Sequence, residues 1–430
     1  MTFDLIKNKL DVLDCDAFEL TETVTRGYEF YFIRHNLDQN RYTEIKSYTV
    51  NIYKKTKDDN GEYLGKASAE LYPTYSEEDV DKVLSDLLFQ ATLIKNPVFS
   101  LNDKPLEEVS RINPSDLKEL SRAFIEMTNE VTETENKDMN SYEIFVKDIE
   151  KHFINSNGVE YIRNYPACVF EYVVNARKDG HEVELYRIGD YGSCKKAELK
   201  KEIEDTLQFA EDRLVALPTP KLTDIPVVLS TDVQVEIYNY FKEHMNAQYK
   251  VMNISDWELN KPICDAFEGD RVTLEAVKYL PDSSYNFDVD TEGAFINDRF
   301  LLKDGVPQAF YGSKQFSDYL EIENSSNVYN VIVTGGSKSE DELKQGDYLE
   351  IVEFSDFQVS AIGGDIAGEI RLGYLHKDGK TTIVTGGSVS GNMVDAAKKM
   401  EFSKEQTQYN NFKIPSITKL YGTTITGVAE

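Results

Sequence analysis

With 430 residues, 40% of them hydrophobic and 29% charged, the chain is long enough for two or three domains with ordinary cores and too apolar for a disordered polymer. Its 47 Lys and Arg against 76 Asp and Glu leave a net charge of -29 with no segregated basic patch, which disfavours direct binding to nucleic acid or to an anionic membrane surface. Four scattered cysteines, Cys15, Cys168, Cys194 and Cys264, form no CxxC pair and read as reduced thiols; with no leader-like start and no apolar run of membrane length, the cytoplasm is the default location.

Taken from its start, the chain predicts a helix over Thr2 to Leu13, with Phe3, Ile6, Leu10 and Leu13 on one stripe that covers the following sheet. Strand-like stretches follow at Glu29 to Arg34, Glu44 to Lys55 and Glu62 to Tyr72, the last two joined by an Asp59-Asn60-Gly61 hairpin turn. Ser76 with Asp79 has the form of a capping box, and Val80, Val83, Leu84, Leu87, Leu88 and Ala91 continue it at helical spacing up to Pro97. A third helix is expected from Asn113-Pro114-Ser115-Asp116, with Leu117, Leu120, Phe124 and Met127 inward and a solvated acidic tail from Glu130 to Glu135. Five short strands are then read at Tyr142 to Val146, Lys151 to Asn155, Tyr161 to Tyr165, Val169 to Ala176 and Glu182 to Ile188, with turns at Ser156-Asn157-Gly158 and Lys178-Asp179-Gly180. A long helix from Lys195 to Leu217 buries Leu199, Ile203, Leu207, Ala210 and Leu214.

Two prolines in Leu217-Pro218-Thr219-Pro220 favour an extended connector, so the expected division is residues 1–217, a linker at 218–226, and 227–430. Beyond it a short buried strand, Ile225 to Ser230, feeds a helix from about Asp232 to Tyr249. From Trp257 onwards the chain reads as β-rich, with turns at Glu268-Gly269, Glu292-Gly293, Asp304-Gly305 and Gly335-Gly336. Ile370, Leu372 and Tyr374 alternate, Lys377-Asp378-Gly379-Lys380 turns, and Thr381 to Thr385 resumes the alternation, which is a β-meander. Gly386 to Met393 ends it and opens a short helix capped by Asn392.

In that last segment Gly364-Asp365, Ala367-Gly368-Glu369, Lys377-Asp378-Gly379 and Ser388 to Asn392 fall in an order that resembles the C-terminal signature of the TldD/PmbA family, which has also carried a gyrase-modulator label. The chain has Gly364-Asp365-Ile366-Ala367 where that family more often shows Gly-Asp-Phe-Ser. Asn155 to Gly158 with the helix from Lys195, Asp290-Thr291-Glu292-Gly293, Phe300 to Gly305 and Asn330 to Gly336 extend the likeness over most of the chain; Tyr279 to Tyr319 is hard to place. The resemblance implies an α+β protein: an α/β N-terminal domain with helices packed on a sheet, then a β-rich C-terminal domain. It also implies a peptide-processing system in which a zinc-bearing TldD-type subunit pairs with a metal-free PmbA/TldE-type subunit.

A zinc-bearing chain of that family carries HExxxH on the helix after the strand, two histidines on one face with a glutamate that activates water. Here the corresponding positions are Asn239, Tyr240 and His244, so two of three are missing, and His244 reads as a solvent-facing helix histidine beside Glu243. The remaining histidines, His35, His152, His181 and His376, have no partner at the required spacing, His181-Glu182 lacks the second histidine, and no cysteine follows Cys264. Other constellations fail on register. Val389, not a serine, lies midway between Gly387 and Gly391; Ser193-Cys194-Lys195-Lys196 sits at a helix start where Ser193 reads as a cap; Gly335-Gly336-Ser337 lacks a phosphate-loop ending; Asp288 and Asp290 are one acid pair among many.

The sequence thus points to a PmbA/TldE-like chain with no catalytic or metal-binding residue of its own. Its expected partners are a zinc-bearing TldD-type subunit in a heterodimer, or a second copy in a homodimer, with unfolded or extended peptide as substrate and neither nucleic acid nor membrane bound directly. Two alternatives stay open: a peptidase with an unrecognised site, and a stand-alone peptide-binding or scaffold protein.

Overall fold

A computed structural model describes residues 2–103, 109–111, 116–323 and 325–428. Its N-terminal half comprises α1 (Phe3–Val12), β1 (Ala17–Ile33), β2 (Asn36–Asp58), β3 (Gly61–Leu71), α2 (Glu77–Leu93), β4 (Val109–Arg111), α3 (Leu117–Asn129), β5 (Lys137–Asn155), β6 (Glu160–Lys178), β7 (His181–Tyr191) and α4 (Lys196–Arg213). These strands form one sheet in the order β3-β2-β1-β5-β6-β4, with β7 also on β6. Because side chains alternate across a strand, the face carrying Phe18, Leu20, Val24 and Phe32 of β1 is the buried one. α1 and α2 cover one end of that face and α3 and α4 the other, giving two cores side by side under a single long sheet.

The C-terminal half contains β8 (Leu217–Pro218), β9 (Val227–Leu229), α5 (Gln234–His244), α6 (Ala247–Val251), β10 (Leu274–Val277), β11 (Arg299–Lys303), β12 (Val306–Pro307), α7 (Lys314–Tyr319), β13 (Asn330–Val333), α8 (Glu340–Leu343), β14 (Tyr348–Val359) and β15 (Asp365–Lys377). It closes with β16 (Lys380–Thr385), β17 (Ser388–Asn392), α9 (Met393–Lys399), β18 (Glu401–Phe402), β19 (Gln406–Tyr409), β20 (Phe412–Pro415), β21 (Thr418–Leu420) and β22 (Thr424–Thr426). One sheet runs β18-β21-β9-β14-β15-β16-β8, with β17 on β15 and β22 on β17; the other runs β12-β11-β10-β13-β20-β19. A single large core lies between them. The fold is α+β.

Local chemistry fixes many of the joints. Ser76 and Asp79 exchange both bonds of a capping box at α2, and Asn392 caps α9 by accepting from the Val394 N–H. Three two-residue hairpin loops, Asp179-Gly180, Asp304-Gly305 and Asp378-Gly379, hold both residues at positive φ, as tight hairpins on twisted strands require. The β2–β3 hairpin closes at Asp59-Asn60 with Gly61 alone at positive φ. Asp116 caps α3, while Asn113-Pro114-Ser115 lie outside the described residues.

Several expectations change: the strand read at Glu29 to Arg34 is the end of the longer β1, and the helix read to Leu217 stops at Arg213. The pieces at Tyr142 to Val146 and Lys151 to Asn155 are one strand, β5, and those at Tyr161 to Tyr165 and Val169 to Ala176 are one strand, β6, paired without a break from Ser141 to Ile154. Pro166 is tolerated inside β6 because the outer edge there passes from β4, which ends opposite Arg163, to β7, which begins opposite Cys168; no ladder bond is asked of it on that side. The helix read from Asp232 to Tyr249 breaks at Met245-Asn246, where Asn246 caps α6 through the Gln248 N–H. Ser193 is not the α4 cap; Lys195 holds that position, and the Ser193 hydroxyl donates to Asp282 at 2.7 Å. The proline connector is partly woven into the second sheet, since Leu217 and Pro218 pair with Val384 and Thr385.

The two halves meet through buried polar contacts. Arg163, buried on the face of the first sheet opposite the helices, donates to the Val289 carbonyl at 2.7 Å, and its guanidinium lies 4.0 Å from the Phe287 ring centroid. Nearer the connector, Arg187 of β7 reaches Glu353 of β14 at 2.7 Å, the Val352 carbonyl at 3.1 Å and Asp232 at 3.2 Å.

Candidate functional site

β9 is three residues long and wholly buried, held between β14 in parallel and β21 antiparallel, so it aims α5 into the centre of the C-terminal half. The inner face of α5 is anchored by polar bonds: Gln234 accepts from the Thr418 hydroxyl at 2.9 Å, and the Tyr238 hydroxyl meets the same Thr418 oxygen at 2.8 Å. One turn on, Tyr240, Phe241 and His244 emerge among aromatic rings. His244 lies with ring centroids 4.4 Å from Tyr240 and 4.7 Å from Trp257, and Trp257 also contacts Phe241 at 6.0 Å. Asn239 is half-buried on the flank.

Facing this cluster is the turn between β14 and β15. Gly364 sits at φ 75, its N–H donating to the Ser360 carbonyl, and a Cβ there would stand 3.4 Å from the Tyr240 ring. Asp365 lies directly opposite Asn392 in the β15–β17 ladder, and Asn392 donates to Asp365 at 3.0 Å and to the Gly363 carbonyl at 2.9 Å while capping α9. Gly364-Asp365 and Ser388 to Asn392, separated in sequence, are thus one structural unit packed against α5.

Residues 223–427 match the family described as the PmbA/TldA metallopeptidase C-terminal domain. The C-terminal half of the chain belongs to the TldD/PmbA family. Comparison with curated proteins gives no significant match. Among solved structures, TldE from Thermococcus kodakarensis superposes with a TM-score of 0.76 at 15% identity, covering 99% of each chain. A Thermotoga maritima protein described as a modulator of a DNA gyrase gives 0.75 at 16% identity, covering 99% of this chain and 100% of that one. A similarly described Bacteroides thetaiotaomicron protein gives 0.76 at 14%, covering 99% and 97%. At such identities the likeness is one of fold.

For a TldD/PmbA chain, the question at α5 is whether its side chains suit zinc. The donor set is a carboxamide, a phenol and one imidazole: Asn239, Tyr240 and His244. Burial, with Asp256 nearby, pushes the Tyr240 phenol up to about 12, so it stays protonated at neutral pH. His244 is buried, not solvent-facing as the sequence suggested, because Trp257 covers it from an irregular segment that helical spacing cannot foresee. Burial lowers its pKa and keeps the ring neutral; the main chain at Ala361 approaches it, but neither ring nitrogen has a hydrogen-bond partner of ordinary geometry. Glu243 is engaged: burial raises its pKa, but Lys242 at 3.0 Å, the Asn246 amide at 3.3 Å and the Tyr311 hydroxyl at 3.1 Å outweigh it and hold the carboxylate ionised. This set does not fit a tetrahedral zinc site, which needs three good ligands and an open position. Among the described residues no three His, Cys, Asp or Glu side chains come together in a way that could hold a metal ion.

A buried imidazole with two idle nitrogens is a cost rather than an asset. His244→Phe, which keeps the ring stack and removes the unpartnered polar atoms, is expected to leave stability unchanged or raise it by about 1 kcal/mol in urea unfolding; a loss of several kcal/mol would show that the imidazole holds something.

The other candidates are dispersed. His35 pairs with Glu133, His152 with Glu160, and His376 stacks on Tyr348, while His181 is exposed at the start of β7. Asp288 binds Lys278 at 3.1 Å, whereas Asp290 turns inward to accept the main-chain N–H groups of Glu292, Ala294 and Asn327, so the pair does not act jointly. Gly386 and Gly387, both at positive φ, turn the chain from β16 into β17. An open groove of about 300 Å³ between α3 and β1, lined by Tyr28, Phe30, Ser121, Arg122 and Ile125 among others, gathers no catalytic constellation.

Sequence reasoning missed two features. Trp257 is the one tryptophan of the chain, and Tyr240 and His244 are four apart on α5, which together signalled an aromatic cluster. The ion pair between Arg187 and the buried Glu353, with Asp232 at its exposed rim, carried no signal, because its members come from separate parts of the chain. Glu202 accepts from the Tyr172 hydroxyl at 3.2 Å, and burial raises Glu353 to about 7 against the pull of Arg187.

Proposed function

We propose that this chain is a PmbA/TldE-type subunit of a TldD/TldE-like peptidase assembly, carrying no zinc itself and helping to form the space in which a zinc-bearing TldD-type subunit acts on unfolded or extended peptide. The observation that carries this reading is the second-histidine position of the zinc helix: His244 lies against Tyr240 and Trp257, and the two positions before it in the motif are Asn239 and Tyr240. With no metal, the chain's own contribution is positional. Its three sheets present open strand edges to which an extended peptide can add by main-chain hydrogen bonds. The fold shared with TldE from Thermococcus kodakarensis over 99% of both chains supports the same side of the family.

The test is metal content and peptide cleavage measured on the same preparation. The purified chain alone should contain substoichiometric zinc and leave an unfolded peptide intact, and mixing it with an HExxxH-bearing homologue from the same cell should produce chelator-sensitive cleavage exceeding that of the homologue alone. Equimolar zinc in the isolated chain, or cleavage by it alone, overturns the proposal.

A further inference from the structure

On the face of the first sheet opposite the helices stands a cation without a counterion. Following the ladders across four strands, Ser47 of β2 lies opposite Thr23 of β1, Thr23 opposite Lys151 of β5, and Lys151 opposite Arg163 of β6. Side chains in such a row share a face, and directly opposed residues have Cβ atoms about 5 Å apart. Lys151 is half-buried, and among the described residues no carboxylate comes within ion-pair reach of it. The charge that does reach it is that of Arg163, of the same sign; burial first, and that charge second, hold the lysine pKa below its ordinary value.

Like charges opposed across a ladder, one of them partly desolvated, destabilise a fold unless an anion joins them. In a chain with 76 Asp and Glu against 47 Lys and Arg, such an anion is easily supplied from within. Lys147, four residues earlier on the same face, has one, its ammonium standing 4.0 Å from Glu29. For Lys151 the nearest candidate along the row is Glu70 of β3, which binds Ser47 and lies three strands or about 14 Å away. Arg163 is 5% exposed and donates one guanidinium nitrogen to the Val289 carbonyl, yet its Nε has no partner. We propose that Lys151, with Arg163 behind it and the Thr23 hydroxyl beside it, is the seat of a carboxylate carried by an extended peptide.

The composition of the seat selects its occupant. One reachable ammonium and one hydroxyl match the two oxygens of a carboxylate, and charge-assisted bonds of that kind are the strong ones. A polyanion is disfavoured, because the net charge of -29 on the chain repels it. Ile149 and Phe153, two residues before and after Lys151 on β5, point to the same side of the sheet and offer apolar surface to the side chains next to the bound carboxylate. The proposal rests on the reading of this chain as a peptide-binding subunit and adds to it which group of the peptide is gripped.

The test is binding of short unfolded peptides to the full chain, read by the fluorescence anisotropy of an uncharged label at the peptide N-terminus. Three forms of one sequence are compared: a free terminal carboxylate, a terminal amide, and the amide with glutamate as its last residue. The first or the third should bind about tenfold more tightly than the second, the ordinary worth of a hydrogen bond to a charged group: the first where the seat takes a chain end, the third where it takes an acidic side chain. Lys151→Met, which keeps the stem, should erase that difference, and Lys151→Arg should retain most of it. Because the ammonium is unpaired in the fold, the methionine variant should unfold at the same urea concentration as the parent or a higher one. Three peptides bound equally, no binding of any, or a methionine variant that keeps the preference overturns the seat. So does a methionine variant that unfolds at markedly lower urea, since the ammonium would then already have an internal partner. The subunit role is decided separately, by zinc content and cleavage, so the two can fail independently.

Discussion

Replacing Arg187 by methionine should cost about 3–5 kcal/mol of stability at pH 8, the usual result of leaving a buried carboxylate, here Glu353, without its cation. Arg187 is 16% exposed and Glu353 5%, so little solvent screening is available between them, while Asp232, about half exposed, meets the same guanidinium at the rim. The loss should shrink as the pH falls. Glu353 has a folded-state value of about 7, above the value near 4.5 of an unfolded glutamate, so the folded state takes up a proton that the unfolded state does not between those limits. In the unaltered chain this group, with Glu292 at a similar value, therefore lowers stability as pH rises from about 4.5 to 7 and adds nothing further above it. In the methionine variant Glu353 titrates higher still, so urea unfolding at pH 8 and pH 5.5 should give a larger difference for the variant than for the parent. A variant equally destabilised at both values would mean that Arg187 acts through packing alone.

Trp257→Ala should be similarly damaging, about 3–5 kcal/mol by the ordinary cost of deleting a buried aromatic. The indole is 9% exposed and touches Tyr240, Phe241 and His244 at once. Its removal also admits water to the imidazole. Since burial is the chief cause of the lowered His244 value, that value should move up towards the ordinary histidine range in the variant, observable in the ring-proton chemical shifts of His244. An unchanged titration would place the protecting surface elsewhere, on the Ser360 to Asp365 turn.

What could be read from the sequence was what is settled within a few residues. The Ser76 and Asp79 box, the Asn392 cap and the Asp-Gly hairpins at Asp179 and Asp378 are decided by short-range hydrogen bonding and backbone sterics, so residue type suffices. β5 and β6 were read as fragments because Lys147 to Glu150 and Asn164 to Ala167 interrupt the apolar alternation, although each fragment finds a partner strand beside it and the ladder continues through. The α5 positions Asn239, Tyr240 and His244 were correctly located on a helix after a buried strand, but the environment of His244 depends on Trp257, thirteen residues away across a break in helical structure. Arg187 and Glu353 are 166 positions apart, and nothing local in either segment indicates that they meet. The family signature was legible for a related reason: Asp365 and Asn392 are ladder partners, so their order along the chain survives as a pattern.

The position of β9 has a bearing on how the chain is made. This short strand is threaded between β14, which starts more than a hundred residues later, and β21, which begins opposite Leu229 only at Thr418. During synthesis the first sheet can assemble from neighbouring hairpins as it emerges, whereas the core around β9 must wait for almost all of the remaining polypeptide. For that interval Val227, Val228 and Leu229 are an apolar segment lacking both neighbours, which makes the second half the slow and aggregation-exposed step of biogenesis.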